Sequence, residues 1–339
     1  MSAQIDSTMV QRAPPGLVLR PFRGDEDLPA LVEVLNAESI ADRVAERETI
    51  ETLRSFLGHP SEQFDASRDL RVAELDGRVV GVAGQDWVDT RNAPERQFRF
   101  WGAVHPDHRR RGIGGALLAD QEQRARARAM ILADGRTPVF GASAAAGRPG
   151  AELLARNGYE VARWFFDMVR PHLDDIDVPD LPRGIELRAV TPDRYPQLWR
   201  ANREAFRDHW GGSDESEAAM HRFFDRPDAD PRLWLVAWEG DEIAAGVLNT
   251  IHPHENAELG VKRGWLDSVF TRRAWRRQGL ARALIARSLV LLRDEGMTSA
   301  ALGVDADNPS GALGLYESAG FEVEDRFLAL RKPMDLEVT

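Results

Sequence analysis

The chain has 339 residues and a net charge of −11; it is 43% apolar, 29% charged and free of cysteine. At roughly 100–200 residues per domain this length fits two globular domains. The acidic balance argues against nonspecific nucleic-acid binding, which needs clustered Lys and Arg. The missing cysteine excludes disulfides, zinc–thiolate sites and thiol nucleophiles, and no apolar run reaches the ~18 residues of a membrane span.

Residues 1–16 are polar, carry Pro14 and Pro15 and lack an apolar signal core, so they read as a disordered tail on a cytoplasmic protein. Leu17–Pro21 then reads as a strand feeding a helix with apolar positions Leu28, Leu31, Val32 and Leu35. A hairpin follows over residues 71–82, turning at Asp76-Gly77, a strong two-residue turn signal. The next strand, from Trp101, runs into a basic turn at Arg109, Gly112 and Gly114 and then a helix.

The whole series then recurs. Ile185–Arg188 opens a second strand and helix, residues 234–247 form a second hairpin, and a strand from Asp267 reaches a second basic turn. The two turns stand 167 residues apart, Arg109 matching Arg276. Repetition of every segment predicts two equal domains, 17–170 and 183–339, joined by a Pro-rich acidic linker over 171–182.

The second turn reads Arg276, Arg277, Gln278, Gly279, Leu280 and Ala281, with Leu284, Ile285, Leu289 and Leu292 continuing at helical spacing. A helix N-terminus presents unpaired N–H groups and the positive end of the macrodipole. Gly279 and Ala281 let the backbone approach a ligand closely, and the arginines add charge. This combination predicts a diphosphate cradle. It is neither a dinucleotide fingerprint nor a P-loop, because the required glycines and the Gly-Lys-Ser/Thr end are missing.

Both turns, written Arg-x-x-Gly-x-Gly/Ala, resemble motif A of the GNAT acyltransferase superfamily. The resemblance implies an α/β fold of two tandem GNAT-like domains, each with a splayed, mostly antiparallel central sheet. It implies acetyl-coenzyme A as cofactor, with its pyrophosphate on the loop and its pantetheine along Val269, Phe270 and Thr271. Residues 304–321 look like motif B: Asn308 matches a residue that bonds the cofactor arm, and Tyr316 matches the general acid that protonates the departing thiolate. In the first copy the same stations hold Ala146 and Leu154, and leucine donates no proton. That domain is therefore expected to be catalytically inert while keeping a phosphate loop. A tandem pair with an active second half resembles the mycothiol synthase-like members of the superfamily.

The implied reaction is direct acetyl transfer to the amine of a small molecule, by a monomer or homodimer with no nucleic-acid or membrane partner. A nonenzymatic acyl-coenzyme A sensor or scaffold, and acetylation of a cysteinyl amino sugar, stand as alternatives. For the general base, Asp267 comes first because alternation along a strand puts it on the face of Val269 and Thr271; Glu258 and His252 follow. The segment Phe206–Gly212, with His209 and Trp210, is expected against the acceptor. The histidines at 209, 221, 252 and 254 have no metal-binding spacing.

Overall fold

A computed structural model describes residues 13–91, 93–308 and 311–336. The predicted tail over 1–16 therefore lies mostly outside the described residues. The chain divides into two compact units. One reaches Val161 and takes up the chain again from Ala329; the other spans Ala162–Leu328.

In the first unit, β1 (Leu17–Pro21) leads to α1 (Leu28–Asp42), α2 (Ile50–Leu57) and the short α3 (Ala66–Asp69). Thr49 caps α2 through a capping box with Thr52, and Arg43 ends α1 in a left-handed conformation. Strands β2 (Leu70–Leu75) and β3 (Arg78–Asp89) form the predicted hairpin. Both turn residues are left-handed, Asp76 at φ 52° and Gly77 at φ 78°, which is the turn that matches strand twist. Strand β4 (Glu95–Val104), α4 (Ile113–Ile131), β5 (Thr137–Ala145) and α5 (Pro149–Arg156) follow. Leu28, Leu31 and Val34 pack one face of the sheet, and Ile113 and Leu117 pack the other.

The chain enters the second unit along β6 (Glu160–Arg170), then forms β7 (Ile185–Leu187), α6 (Tyr195–Ala205), α7 (Glu217–Phe224), β8 (Trp234–Glu239) and β9 (Glu242–Ile251). It continues through α8 (Pro253–Leu259), β10 (Arg263–Thr271), α9 (Leu280–Asp294), β11 (Ser299–Asp305), α10 (Ala312–Ser318) and β12 (Glu322–Pro333). Leu198 and Trp199 of α6 cover one face with Val236, Leu248 and Phe270. Leu280, Leu284, Leu289 and Leu292 of α9 cover the other with Leu266, Val304 and Tyr316. Sheets with helices on both faces bury strands almost completely, and β9 is buried over eight consecutive residues.

The last part of β12 belongs to the first unit. There Leu330 is buried, Arg331 bonds Glu95 at 2.7 Å, and Lys332 bonds Glu122 at 2.8 Å.

Most of the described strand pairs are antiparallel; β4–β5 in the first unit and β10–β11 in the second are parallel, and each of those comes apart. In the first unit β4 and β5 pair from Glu95–Thr137 to Phe100–Ala142, leaving Trp101–Val104 without β5. In the second, β10 and β11 pair only over Arg263–Trp265 and Ser299–Ala301. By the 167-residue offset, the second wedge opens two residues earlier than the first.

Candidate functional site

The two basic turns have the same backbone. Arg110 and Gly112 are left-handed at φ 62° and 84°, and Arg277 and Gly279 at φ 63° and 80°. A non-glycine residue held at positive φ is uncommon, so its recurrence at one station marks a constrained loop. Among the described residues, no backbone N–H from Arg277 to Arg282 has an acceptor; the first helical bond runs from Ala283 to Gly279. Unpaired N–H groups at a helix head are able to receive an anion.

Arg276 is not free to join them. Its Nε donates to the Thr271 carbonyl at 3.1 Å, Nη2 to the Ala205 carbonyl at 2.9 Å, and Nη1 to Asp208 at 3.1 Å. Arg109 does the same in the first copy, on Val104, Asp42 and, at 3.6 Å, Glu38. Hydrogen bonds from Arg273 and then Arg276 hold the Asp208 carboxyl down to about 2. Arg276 thus ties the loop to the end of α6, while exposed Arg277 has no side-chain partner among the described residues. Gln278 is exposed and reaches Ala274, and Leu280 is buried core.

On β10, Val269 packs on the α9 side and Phe270 on the α6 side, its ring filling the space a Cβ at Gly246 would occupy. Only the backbone of Phe270 is open to a ligand. The hydroxyl of Thr271 is buried without a hydrogen-bond partner. An orphaned polar atom beside a strand edge that lacks its β11 partner fits a polar extended ligand such as pantetheine.

Tyr316 of α10 packs in the same cluster as Val269 and Val304, its ring edge-on to Phe321. Its hydroxyl has no hydrogen-bond partner among the described residues, and burial pushes its pKa up to about 12. The group therefore stays protonated. Asn308 lies 3.4 Å from His209 Nε2, and burial lowers the pKa of His209. Pro309, the expected helix entry after Asn308, lies outside the described residues.

Simple alternation fails at Asp267. Strand β10 slips register against β9 between Leu266 and Ser268, so Asp267 is an extra residue in a bulge. Leu266 and Val269 both face α9, whereas Ser268 accepts from Asn202 of α6 at 2.6 Å. Asp267 lies instead with Thr250 and Arg226, which both donate to its Oδ2, at 2.6 and 2.7 Å. Arg226 also faces Asp228 at 3.4 Å, and Asp228 holds His252 Nδ1 at 2.7 Å. Beside them Trp265 donates to Glu255 at 3.1 Å. The sequence reading missed Arg226, Asp228 and Thr250. Glu258 is turned to the exposed His254, and His221 to Asp225, so the four histidines are not brought together.

The first unit keeps a cleft of about 220 Å³ where β4 leaves β5. Phe100, Ala103 and Leu154 line it with Arg109, Gly112 and Gly114. Strand β4 pairs with β3 without a register shift, and Phe100 stands at the station of Asp267. This copy has the loop but neither the bulge, the carboxylate nor the tyrosine.

Comparison with known proteins agrees with this duplication. The acetyltransferase (GNAT) family matches residues 195–321, and an acetyltransferase (GNAT) domain matches residues 66–161. A mycothiol acetyltransferase of Kineococcus radiotolerans is 36% identical over 259 residues, covering 74% of this chain and 77% of its own. Another, of Geodermatophilus obscurus, is 29% identical over 303 residues, covering 86% and 90%. Among solved structures, a GCN5-related N-acetyltransferase from Sphaerobacter thermophilus superposes with a TM-score of 0.68 at 26% identity, covering 95% of this chain and 97% of its own. A tandem GNAT protein from the clavulanic acid biosynthesis pathway shares the fold at a TM-score of 0.66 and 20% identity, covering 94% and 99%.

Proposed function

Because the chain belongs to the GNAT acetyltransferase family and is an acetyl-CoA-dependent N-acetyltransferase, we propose that transfer takes place in its second copy, directly onto the amine of a small molecule. The observation that carries this reading is the pairing of an unpartnered, protonated Tyr316 with an opened β10 edge, where the first copy has Leu154. The N–H groups of residues 277–282 and the Arg277 side chain hold the pyrophosphate. Arg276 keeps that loop in shape. Thr271 and the backbone of Val269 and Phe270 bond the pantetheine, and Asn308 its far side. Asp267 faces the acceptor, and a backbone N–H near Val269 stabilises the oxyanion. Tyr316 gives its proton to the departing sulfur.

The first copy binds acetyl-CoA at the loop of Gly112 and Gly114, which Arg109 holds in shape, without turning it over. As a user of an intracellular thioester the protein is cytoplasmic, a monomer or homodimer; its net charge of −11 supports no nucleic-acid partner. No described helix is long and apolar enough to cross a membrane. The relatives favour a second, narrower reading, in which the acceptor is a cysteinyl amino sugar of the mycothiol type.

Calorimetric titration of acetyl-CoA and release of free thiol with a panel of amines test the assignment. Gly279→Glu should lose turnover and second-copy binding, because it strains a φ of 80° and puts an anion in the cradle. Gly112→Glu should keep turnover. Loss of turnover in Gly112→Glu alone would move the reaction to the first copy.

A further inference from the structure

One of the two oxygens of Asp267 is a poor place to deliver a proton. Oδ2 already takes two donors, the Thr250 hydroxyl and the Arg226 guanidinium, within 2.7 Å. A proton arriving there must displace one of them. The other oxygen can hold an ammonium, which is a different task from deprotonating it.

Beside it stands a group built for the second task. His252 continues β9 two residues past Thr250, on the same face of the sheet. Its ring lies 6.4 Å from that of Trp265, which precedes Asp267 by two residues on β10. Asp228 takes Nδ1 at 2.7 Å and so fixes both the ring and its tautomer, while Nε2 has no partner among the described residues. Arg226, 2.7 Å from Asp267 and 3.4 Å from Asp228, ties the two carboxylates into one frame. Among the described residues, neither side chain has a further hydrogen-bond partner that would explain the pair.

We propose that His252, held by Asp228, takes the proton from the acceptor's ammonium, while Asp267 holds that ammonium beside the thioester. The proposal rests on transfer occurring in the second copy. One N–H proton passes to Nε2, and the neutral amine forms the new C–N bond. The C–S bond breaks as the adduct collapses, the nitrogen loses a second proton to solvent, Tyr316 supplies the proton on sulfur and regains one from solvent, and His252 gives its proton up to solvent. One proton is released per amide formed. The groups facing His252 are Asp228 from the loop after α7, Asp267 from β10, Glu255 from α8 and Arg226. Burial lowers its pKa, but the Asp228 bond and then the Asp267 charge outweigh this, and the net shift is upward. A base of raised pKa is matched to an ammonium acceptor.

The test is kcat/KM against pH for the best amine of the panel and for hydroxylamine, which is neutral at pH 7 and needs no base. With the amine, His252→Gln should lose about 10²-fold in kcat/KM and the acid limb of the profile. The loss should be much smaller with hydroxylamine. Asp228→Asn should move the acid limb to lower pH, and Asp267→Asn should raise the KM for the amine more than it lowers kcat. An unchanged profile in His252→Gln, or equal losses with both acceptors, overturns the role given to His252. Wild-type protein that transfers to neither acceptor, or retained turnover in Gly279→Glu, overturns the placement of the reaction itself.

Discussion

Arg109 grips Asp42 with both terminal nitrogens, at 2.6 and 3.0 Å, and Arg276 reaches Asp208 from the same station one repeat later. The first arginine of each loop is therefore a latch between the loop and the chain at the end of α1 or just past α6. Asp208→Ala should loosen the second loop and weaken acetyl-CoA binding about three- to tenfold, as expected for one lost charged hydrogen bond. Calorimetry reads this directly, and an unchanged Kd would return Arg276 to the list of direct phosphate ligands.

Tyr316→Phe removes only the hydroxyl, from a side chain that is otherwise core. Turnover should fall about 10²-fold or more while acetyl-CoA affinity and melting temperature stay close to wild type. Because burial raises the Tyr316 pKa to about 12, wild-type kcat should show no alkaline limb from this group below pH 10. Adding Leu154→Tyr to the Phe variant should not restore turnover, since β4 has no bulge and carries Phe100 where β10 carries Asp267. Restored thiol release would show that the tyrosine alone separates the two copies.

Glu38, in the first-copy cleft, has a carboxyl pushed up to about 7, chiefly by burial and then by the Asp42 charge. An acid whose folded pKa is raised binds more protons folded than unfolded between the two values. Stability contributed by this group therefore falls as pH rises from about 4.5 to about 7, and stays low above. Glu38→Gln should melt like wild type near pH 4 and above it at pH 8, by on the order of 1–3 kcal/mol. Melting curves across that range check the sign; a variant less stable at pH 8 would refute it.

Residues from Ala329 onward complete the first unit, through buried Ala329 and Leu330 and the Arg331–Glu95 and Lys332–Glu122 bonds. Ending the chain at Leu328 should destabilise the first unit more than the second. Hydrogen exchange should show faster exchange in β5 and α4 than in β9 and α9. The reverse order would mean that the last strand is dispensable to the first unit.

The duplication, the type of turn at Asp76-Gly77 and the Gly279 loop were legible because each is a local pattern with a fixed backbone consequence. Tyr316 came from the resemblance of residues 304–321 to motif B, and spacing alone would not have singled it out. The face of Asp267 was not: a single extra residue in β10 reverses alternation, and a bulge leaves no mark in a strand's composition. Arg226 and Asp228 escaped notice for a different reason. They sit in a loop with no motif of its own, and only tertiary packing sets them against β10. The latch role of Arg276 was equally hidden, because its partner Asp208 lies 68 residues away.

The return of the last strand to the first unit bears on how such a protein is made and inherited. Most of the first unit leaves the ribosome long before the residues that finish it, so its folding must wait until residues from Ala329 onward are made. A duplicated domain normally keeps the freedom to be lost or recombined alone. Here a frameshift or truncation just before Ala329 would strike the first unit, so the two copies are now a single unit of selection.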